Sequence, residues 1–523
     1  MITLKSFVNG RWQEGSGEPS VLVNPSTEEP IAETSTEGLD LAAAVRYARE
    51  VGGPALRALS LGERAALLKA ISKALGEHRD ELLDMAKRNG GNTKGDAKFD
   101  VDGATGTLGA YAHFGKGLGD AKLMPDGDTV PLSRDGDWVG RHVLVPKEGV
   151  AVLINAFNFP GWGFGEKAAC ALLAGMPVIV KPATSTALVT WRMIQILDEA
   201  GVLPEGSVQL VCGGAGDLLS HLGEQDVLAF TGSADTGLHL RSMSEILERN
   251  VTVNIEADSL NSAVLAPGVD PDSDLYGLFL NDVVREITQK SGQKCTAVRR
   301  IFVPTDQVER VSADLVARLE EVVVGNTADP SVTMGPVNSA RQLRDNRQGI
   351  DALAAEGTVL LGGSEPVDGV GAPEGKGYYV LPTLVRFDDA RTATVVHQRE
   401  VFGPVSSILP YDGTPEDAAE LVALGRGSLV ASAYGDDPEW LEGVVTHFAQ
   451  WNGRIYLGSS GVAGAALGSG MVMPALMHGG PGRAGNGSEL AGLFGLRLYQ
   501  RRSAIQGDPD LLERMLGGSS PQS

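Results

Sequence analysis

Cysteine is scarce in this chain, with three in 523 residues, at positions 170, 212 and 295. Three scattered thiols give no basis for a disulfide framework and suit a reducing compartment. Positive charge is also short: 44 Lys and Arg stand against 66 Asp and Glu, a formal net charge of −22. That balance lacks the basic footprint of nucleic-acid binding and argues for solubility. An anionic ligand then needs a local basic pocket. The eight histidines are dispersed, none at metal-ligand spacing, and no Gly-rich loop precedes a Lys-Ser or Lys-Thr pair. No metal site is expected. Apolar runs are short or interrupted, those at 149–154 and 168–180 included, so no membrane span is expected. The start, Met1 to Ser6, lacks a charged region leading into an apolar run, and a cytoplasmic location is expected.

What is present is a chain long enough for two or three domains, with 42% hydrophobic and 21% charged residues, an ordinary globular balance. Apolar residues at helical spacing over 61–89 end at Gly90-Gly91 and predict a helix. From residue 149 the rhythm changes. Short β-branched runs at 150–154, 178–181, 208–212, 227–230 and 251–256 alternate with helical stretches at 166–174, 186–200, 217–222 and 234–248. That alternation predicts βαβ units and a parallel sheet covered on both faces, whose ligands sit at the carboxyl ends of the strands. Those ends read Asn158, Lys181-Pro182, Thr231-Gly232-Ser233 and Glu256. A second α/β pattern over 260–480 carries predicted helices at 275–290, 308–324 and 340–356. The segments 128–147 and 493–505 look like exposed strands, a candidate pairing arm.

Among the three thiols, Cys170 and Cys212 lie in apolar surroundings and read as small buried hydrophobes. Cys295 is flanked by Gly292-Gln293-Lys294 and Thr296, just before a β-branched stretch. A free thiol ionises near pH 8.5, and nearby positive charge or N–H groups favour the reactive thiolate. Packing is the ordinary role of a lone cysteine, so the assignment depends on partners elsewhere in the chain.

Those partners come as six motifs in order: Asn158-Phe159-Pro160, Lys181-Pro182, Thr231-Gly232-Ser233, Glu256, Gly292-Gln293-Lys294-Cys295 and Glu400-Val401-Phe402-Gly403-Pro404-Val405. Over nearly its whole length the chain resembles the NAD(P)-dependent aldehyde dehydrogenase family. The resemblance implies an α/β fold with a Rossmann-type cofactor domain (1–127 with 150–257), an α/β catalytic domain (258–480), a small β oligomerisation arm (128–149 with 481–507) and a flexible tail (508–523). It implies that Cys295 attacks an aldehyde as thiolate and that Asn158, with the Cys295 N–H, holds the oxyanion. Loss of one such donor typically costs about 2.7–4 kcal/mol. It further implies that Glu256 activates the water that hydrolyses the thioester. Phe157, Lys181, Thr184, Gly216, Ser233, Ala257, Glu400 and Phe402 become the implied cofactor contacts. Taken singly, Lys181 reads equally as a solvated lysine, Ser233 as a helix N-cap, and Glu400 and Phe402 as surface and core residues.

Three departures from the family pattern narrow the reading. Glu256-Ala257-Asp258-Ser259 replaces the usual Glu-Leu-Gly-Gly, and Ala156-Phe157-Asn158 replaces Pro-Trp-Asn. Thr184 stands where many NAD-using members carry a glutamate against the adenosine 2′-hydroxyl. A carboxylate there repels a 2′-phosphate and a hydroxyl donates to it, so NADP is expected rather than NAD. The runs 154–163 and 477–485 resemble a branch active in aromatic-compound degradation: the dehydrogenase half of phenylacetate-pathway ring-opening enzymes and a stand-alone relative of the aerobic benzoyl-CoA pathway. That branch implies a semialdehyde carried as a CoA thioester. Arg299, Arg300, Arg454 and Arg483 are candidate anchors for a CoA phosphate, and a homodimer is the inherited expectation.

Two alternatives stand beside this hydrolytic dehydrogenase. One is a CoA-acylating semialdehyde dehydrogenase, which has no need of Glu256. The other is a non-catalytic dinucleotide-binding scaffold, which has no need of Asn158, Glu256 and Cys295 together. A papain-like thiol hydrolase is disfavoured because no histidine lies in a recognisable partner motif.

Overall fold

The computed structural model describes residues 1–516. The β-branched runs form the parallel core of a first sheet: β1 (Ala151–Ile154), β2 (Val178–Lys181), β3 (Val208–Leu210), β4 (Val227–Thr231) and β5 (Thr252–Glu256). Almost every residue of β1 to β4 is buried, because helices and loops cover both faces. The spatial order is β5-β4-β1-β2-β3, extended by the N-terminal strands Ser6–Val8 and Arg11–Gln13, which pair antiparallel. The chain moves outward from β1 to β3 and then returns to lay β4 on the other side of β1. Strand order therefore reverses between β1 and β4, the crevice where α/β sheets bind ligands. Pairing sets Ile154 opposite Lys181 and Thr231 opposite Glu256, so the polar strand ends converge on one edge.

A second sheet follows from β6 (Ser262–Leu265), β7 (Arg300–Pro304), β8 (Thr358–Leu361), β9 (Thr383–Arg386), β10 (Val405–Tyr411), β11 (Ser428–Tyr434) and β12 (Asn452–Gly458). Its order is β8-β9-β10-β7-β6-β11-β12, parallel except for β8 against β9. A two-stranded hairpin, β13 (Met477–Gly480) and β14 (Gly487–Leu490), then folds back toward the first sheet, with His478 directly opposite Glu489. Its tip accepts a hydrogen bond at the end of β5: Ala257 N–H donates to the Ala484 carbonyl at 3.1 Å.

The strands Met124–Pro131, Val139–Pro146 and Gln500–Gly507 form a separate antiparallel sheet, with Val130, Leu132 and Trp138 exposed. This is the α/β architecture expected from the resemblance. Local expectations shift in several places. The helix over 61–89 is two, Leu61–Glu77 and Arg79–Gly90, broken at His78, whose backbone leaves the helical region. The stretch 234–248 splits at Met243, which is extended. The segment 217–222 is a 3-10 turn at Leu218–His221, and the arm strand begins at Gln500, after a 3-10 run Gly492–Tyr499. Pro509–Leu516, placed with the flexible tail, is a helix whose Leu512 is buried; Asp508 caps it by accepting from Leu511 N–H at 2.8 Å. Residues 517–523 of that tail lie outside the described residues.

Candidate active site

The loop from β1 into the helix Pro160–Ala174 carries Asn158. Asp100, fully buried on the helix Lys94–Lys116, accepts from Gly161 and Trp162 N–H at 3.2 and 2.8 Å. It thereby satisfies the first free donors of the Pro160 helix from outside and pins the loop. Asn158 is buried, and its side-chain amide makes no hydrogen bond among the described residues. A buried amide left unpaired in this way is poised for a ligand.

Cys295 sits in a turn after three consecutive left-handed residues, Lys290, Ser291 and Gly292, with φ of 54°, 54° and 66°. Left-handed backbone is costly for side-chain-bearing residues and needs outside support. Lys290 N–H donates to Asp96 at 2.9 Å, and Ser291 Oγ donates to the Gly335 carbonyl at 2.7 Å. At Gly292 an added Cβ would lie 2.1 Å from the Gly403 carbonyl, so only glycine fits. Asn261 clamps the far side, donating to the Cys295 and Ala297 carbonyls at 2.7 and 2.9 Å. Lys294, adjacent in sequence, does not serve the thiol. Its ammonium is buried against Glu286 at 2.7 Å and Gln289 at 2.8 Å.

Asn158, Glu256, Cys295 and His478 line one cleft, with Phe99, Phe159 and Trp162 forming an apolar wall. His478 Nε2 is 3.8 Å from Cys295 Sγ and 3.3 Å from Glu256 Oε2. His478, which lies in no recognisable partner motif, is thus brought beside the thiol in space. The two residues are 183 apart in sequence and meet only because the β13–β14 hairpin folds against β5. Behind Glu256, the buried Lys167 ammonium lies 3.0 Å from Glu166 and 3.1 Å from Glu489. Asn254 donates to the other Glu489 oxygen at 2.8 Å.

This crowding sets the charges. Burial raises the Cys295 thiol well above its ordinary value, and the Glu256 carboxylate raises it further. Burial also disfavours ionised Glu256, but the His478 ring and the Lys167 ammonium outweigh it and hold the carboxyl well below its usual range. For His478 burial opposes protonation, yet the facing Glu256 raises its proton affinity overall. Glu489 is pushed up to about 7, chiefly by burial, with Lys167 opposing. The arrangement holds a thiol, an ionised carboxylate and an imidazole in mutual reach, which is equipment for nucleophilic attack and proton transfer.

The expected cofactor residues fall in two groups. Lys181 and Thr184 share the exit loop of β2; the Lys181 ammonium has only the Pro182 carbonyl, at 3.3 Å, and no carboxylate among the described residues. Ser233 is the N-cap of the helix Ala234–Ser242, its oxygen accepting from Thr236 N–H at 3.4 Å, and Gly216 turns at φ 52° in the exposed loop after β3. On the other side, Phe157 and Phe402 meet edge to face, 5.8 Å apart. Glu400 stands beside them with Oε1 unbonded, 3.6 Å from Arg299, and burial pushes its carboxyl up to about 8. Thr231 Oγ1 is likewise buried without a partner. Unpaired buried groups around a strand-order reversal fit a dinucleotide.

The four candidate CoA anchors do not fit that role. Arg299 is buried and donates to the Gly403 and Gly292 carbonyls at 2.8 and 2.9 Å. Arg300 is buried and spent on the Leu260, Leu421 and Val422 carbonyls. Arg454 holds the Met471 and Ser469 carbonyls. Arg483 pairs with Asp258 of the altered loop behind Glu256, a clasp between the end of β5 and the hairpin tip.

A family model described as the aldehyde dehydrogenase family matches residues 12–485, and the chain belongs to that family. It is an oxidoreductase acting on aldehydes with a nicotinamide dinucleotide. Among its relatives, the 3,4-dehydroadipyl-CoA semialdehyde dehydrogenase of Aromatoleum evansii is 45% identical over 92% of this chain and 93% of that protein. The alpha-ketoglutaric semialdehyde dehydrogenase of Bacillus subtilis is 30% identical over 79% and 82%. Among solved structures, the NAD+ complex of a Bacillus cereus aldehyde dehydrogenase superposes with a TM-score of 0.83 at 26% identity, covering 97% of each chain. The Staphylococcus aureus betaine aldehyde dehydrogenase, at 24% identity over 97% and 95%, gives a TM-score of 0.84 and shares the fold. Among the described residues no helix is long and apolar enough to cross a membrane.

Proposed function

We propose that this enzyme oxidises a CoA-thioester-linked semialdehyde, of the 3,4-dehydroadipyl-CoA semialdehyde type, to the free acid with NADP. The observation that carries the hydrolytic mechanism is the ionised Glu256 in the cleft of Cys295, both within reach of His478. Cys295 Sγ forms the bond to the aldehyde carbon. The Asn158 amide and the Cys295 N–H stabilise the resulting oxyanion, and the apolar wall of Phe99, Phe159 and Trp162 limits access of bulk water. The bound dinucleotide supplies the hydride acceptor. Lys181 and Thr184 are the contacts for its 2′-phosphate, Gly216 and Ser233 for the pyrophosphate, and Glu400 with Phe157, Phe402 and Ala257 for the nicotinamide end. Glu256 then takes a proton from water, which attacks the thioester and releases Cys295. An acylating enzyme, which passes the acyl group to free CoA, has no use for this base.

The CoA-linked substrate is supported by the 45% identical relative, a 3,4-dehydroadipyl-CoA semialdehyde dehydrogenase. With that substrate we infer a role in aerobic aromatic breakdown through benzoyl-CoA, in the cytoplasm. The exposed arm sheet is the surface for homodimer formation. The test is a panel of free and CoA-linked semialdehydes with NADP and with NAD, following absorbance of the reduced dinucleotide. Selective turnover of the CoA-linked substrate with NADP is expected. Equal rates on simple aldehydes break the substrate assignment, and a requirement for added CoA breaks the hydrolytic mechanism.

A further inference from the structure

One nitrogen of His478 touches both working side chains. Nε2 faces Glu256 Oε2 at 3.3 Å and Cys295 Sγ at 3.8 Å. An ionised carboxylate only accepts hydrogen bonds, and a bare nitrogen lone pair against it at that distance is repulsive. Nε2 therefore carries a proton, and it is a donor with two candidate acceptors. The thiol and the carboxylate are themselves neighbours in a buried site, where two adjacent anions are disfavoured. Cys295 and Glu256 thus share one negative charge between them.

We propose that the His478 Nε2–H follows this single charge, bonding Glu256 while Cys295 is a thiol and turning to Sγ when the thiol proton passes to Glu256. The step balances: the S–H bond breaks, an O–H bond forms on Glu256, the Nε2–H bond is kept and the net charge of the three groups is unchanged. The freed electron pair on sulfur then makes the S–C bond. Once Cys295 is acylated it carries no charge, and Glu256, having released its proton to solvent, regains the donor before acting on water. His478 is thus a catalytic donor to the nucleophile, which answers how a thiol raised by burial ionises beside a carboxylate.

The surroundings favour a donor here. Glu256 from β5, Glu166 from the Pro160–Ala174 helix and Glu489 from β14 face the ring with negative charge; Arg454 from β12 opposes them, and Lys167 is engaged by Glu166 and Glu489. The strand sets the position of the His478 backbone, opposite Glu489 in the hairpin, and rotation about the side-chain bonds re-aims Nε2–H between the two acceptors.

The inference rests on Cys295 being the nucleophile but not on the substrate, so the test uses neither aldehyde nor cofactor. Iodoacetamide alkylation of the full-length enzyme is followed from pH 5 to 10 by mass spectrometry of the Cys295 peptide, with buried Cys170 and Cys212 as internal controls. His478→Phe keeps a ring and removes the donor. Its alkylation at pH 7 is expected to slow about 10-fold or more, with the apparent pKa of Cys295 raised by about one unit. His478→Gln, which keeps an N–H without a titratable ring, is expected within about 3-fold of wild type. An unchanged profile in folded His478→Phe overturns the proposal, and so does a Gln variant as slow as Phe. Glu256→Gln gives an independent reading. It frees the donor for sulfur, so the thiol pKa falls below wild type, and adding His478→Phe cancels at least part of that fall. No difference between the single and double variants overturns the proposal. Normal alkylation responses with no turnover of CoA-linked semialdehydes would instead sink the substrate assignment alone.

Discussion

The two sides of the active-site crevice treat polar groups in opposite ways. Around Cys295 the charges answer one another: Glu256 faces His478, Lys167 faces Glu166 and Glu489, and Lys294 is sealed against Glu286. Along the strand ends proposed to receive the dinucleotide, groups lack such partners: among the described residues the Lys181 ammonium meets no carboxylate, and Glu400 Oε1 and Thr231 Oγ1 make no hydrogen bond. A buried polar atom without a partner costs about 1–3 kcal/mol. On the proposed cofactor side a bound dinucleotide would supply the partners. On the nucleophile side the charges are paired before any substrate arrives, while Glu256 Oε1 and the Asn158 amide stay open toward the reacting groups. Charge pairing thus marks the proposed machinery, and open polar atoms mark where ligand atoms would sit.

The sharpest break of this comparison is Cys295→Ala, which removes the nucleophile and leaves the unpaired groups alone. Turnover should fall on the order of 10⁴-fold or more while NADP affinity, read by fluorescence titration, stays within about 3-fold. Comparable losses in both would merge the two regions. Glu256→Gln should lower kcat about 10²–10⁴-fold at an unchanged KM for the dinucleotide, as removal of a general base does; steady-state kinetics with either substrate varied check this. On the opposite side, Lys181→Ala should weaken NADP about 10- to 100-fold, the worth of a charge-assisted bond of about 1.5–3 kcal/mol. NAD affinity should change less than about 3-fold, and Thr184→Glu should turn the preference toward NAD. Isothermal titration with both dinucleotides decides it, and equal losses would show that Lys181 does not read the 2′-phosphate.

The smallest effect concerns two buried histidines with opposite shifts. His397, buried against Arg300, is pushed down to about 4, first by burial and then by that guanidinium. Its folded value is depressed, so the unfolded chain binds the proton more readily below pH about 6.5. The stability it contributes is full above that pH and falls as pH drops toward 4, by about 2 kcal/mol at pH 5. His478 is raised, so its contribution is full below pH about 6.5 and is lost as pH rises through its folded value. Thermal unfolding of His397→Gln from pH 8 to 5 should show a flatter acid-side decline than wild type.

Much of the proposed catalytic set is legible in the chain order. Asn158, Glu256 and Cys295 stand in motifs, and the structure gathers them in one cleft; Phe157 and Phe402, 245 residues apart, meet as a pair. His478 was in plain view within Met477-His478-Gly479-Gly480, yet nothing local marks a histidine that works with a cysteine 183 residues earlier. The arginines misled for the converse reason. An arginine reads as a phosphate anchor until the carbonyls it holds are known, and Arg300 holds three.

By itself, the sequence determined the periodicities that make β1 to β5 a buried parallel sheet and the residue types that aldehyde oxidation requires. Those are local facts, written in hydrophobic spacing and in short motifs. Tertiary structure alone decided that the hairpin after β12 returns to β5, placing His478 between thiol and carboxylate and Glu489 on Lys167. It also decided which charges are paired. Proton affinities depend on burial and on neighbours within a few ångströms, and such neighbours come from elements hundreds of residues apart.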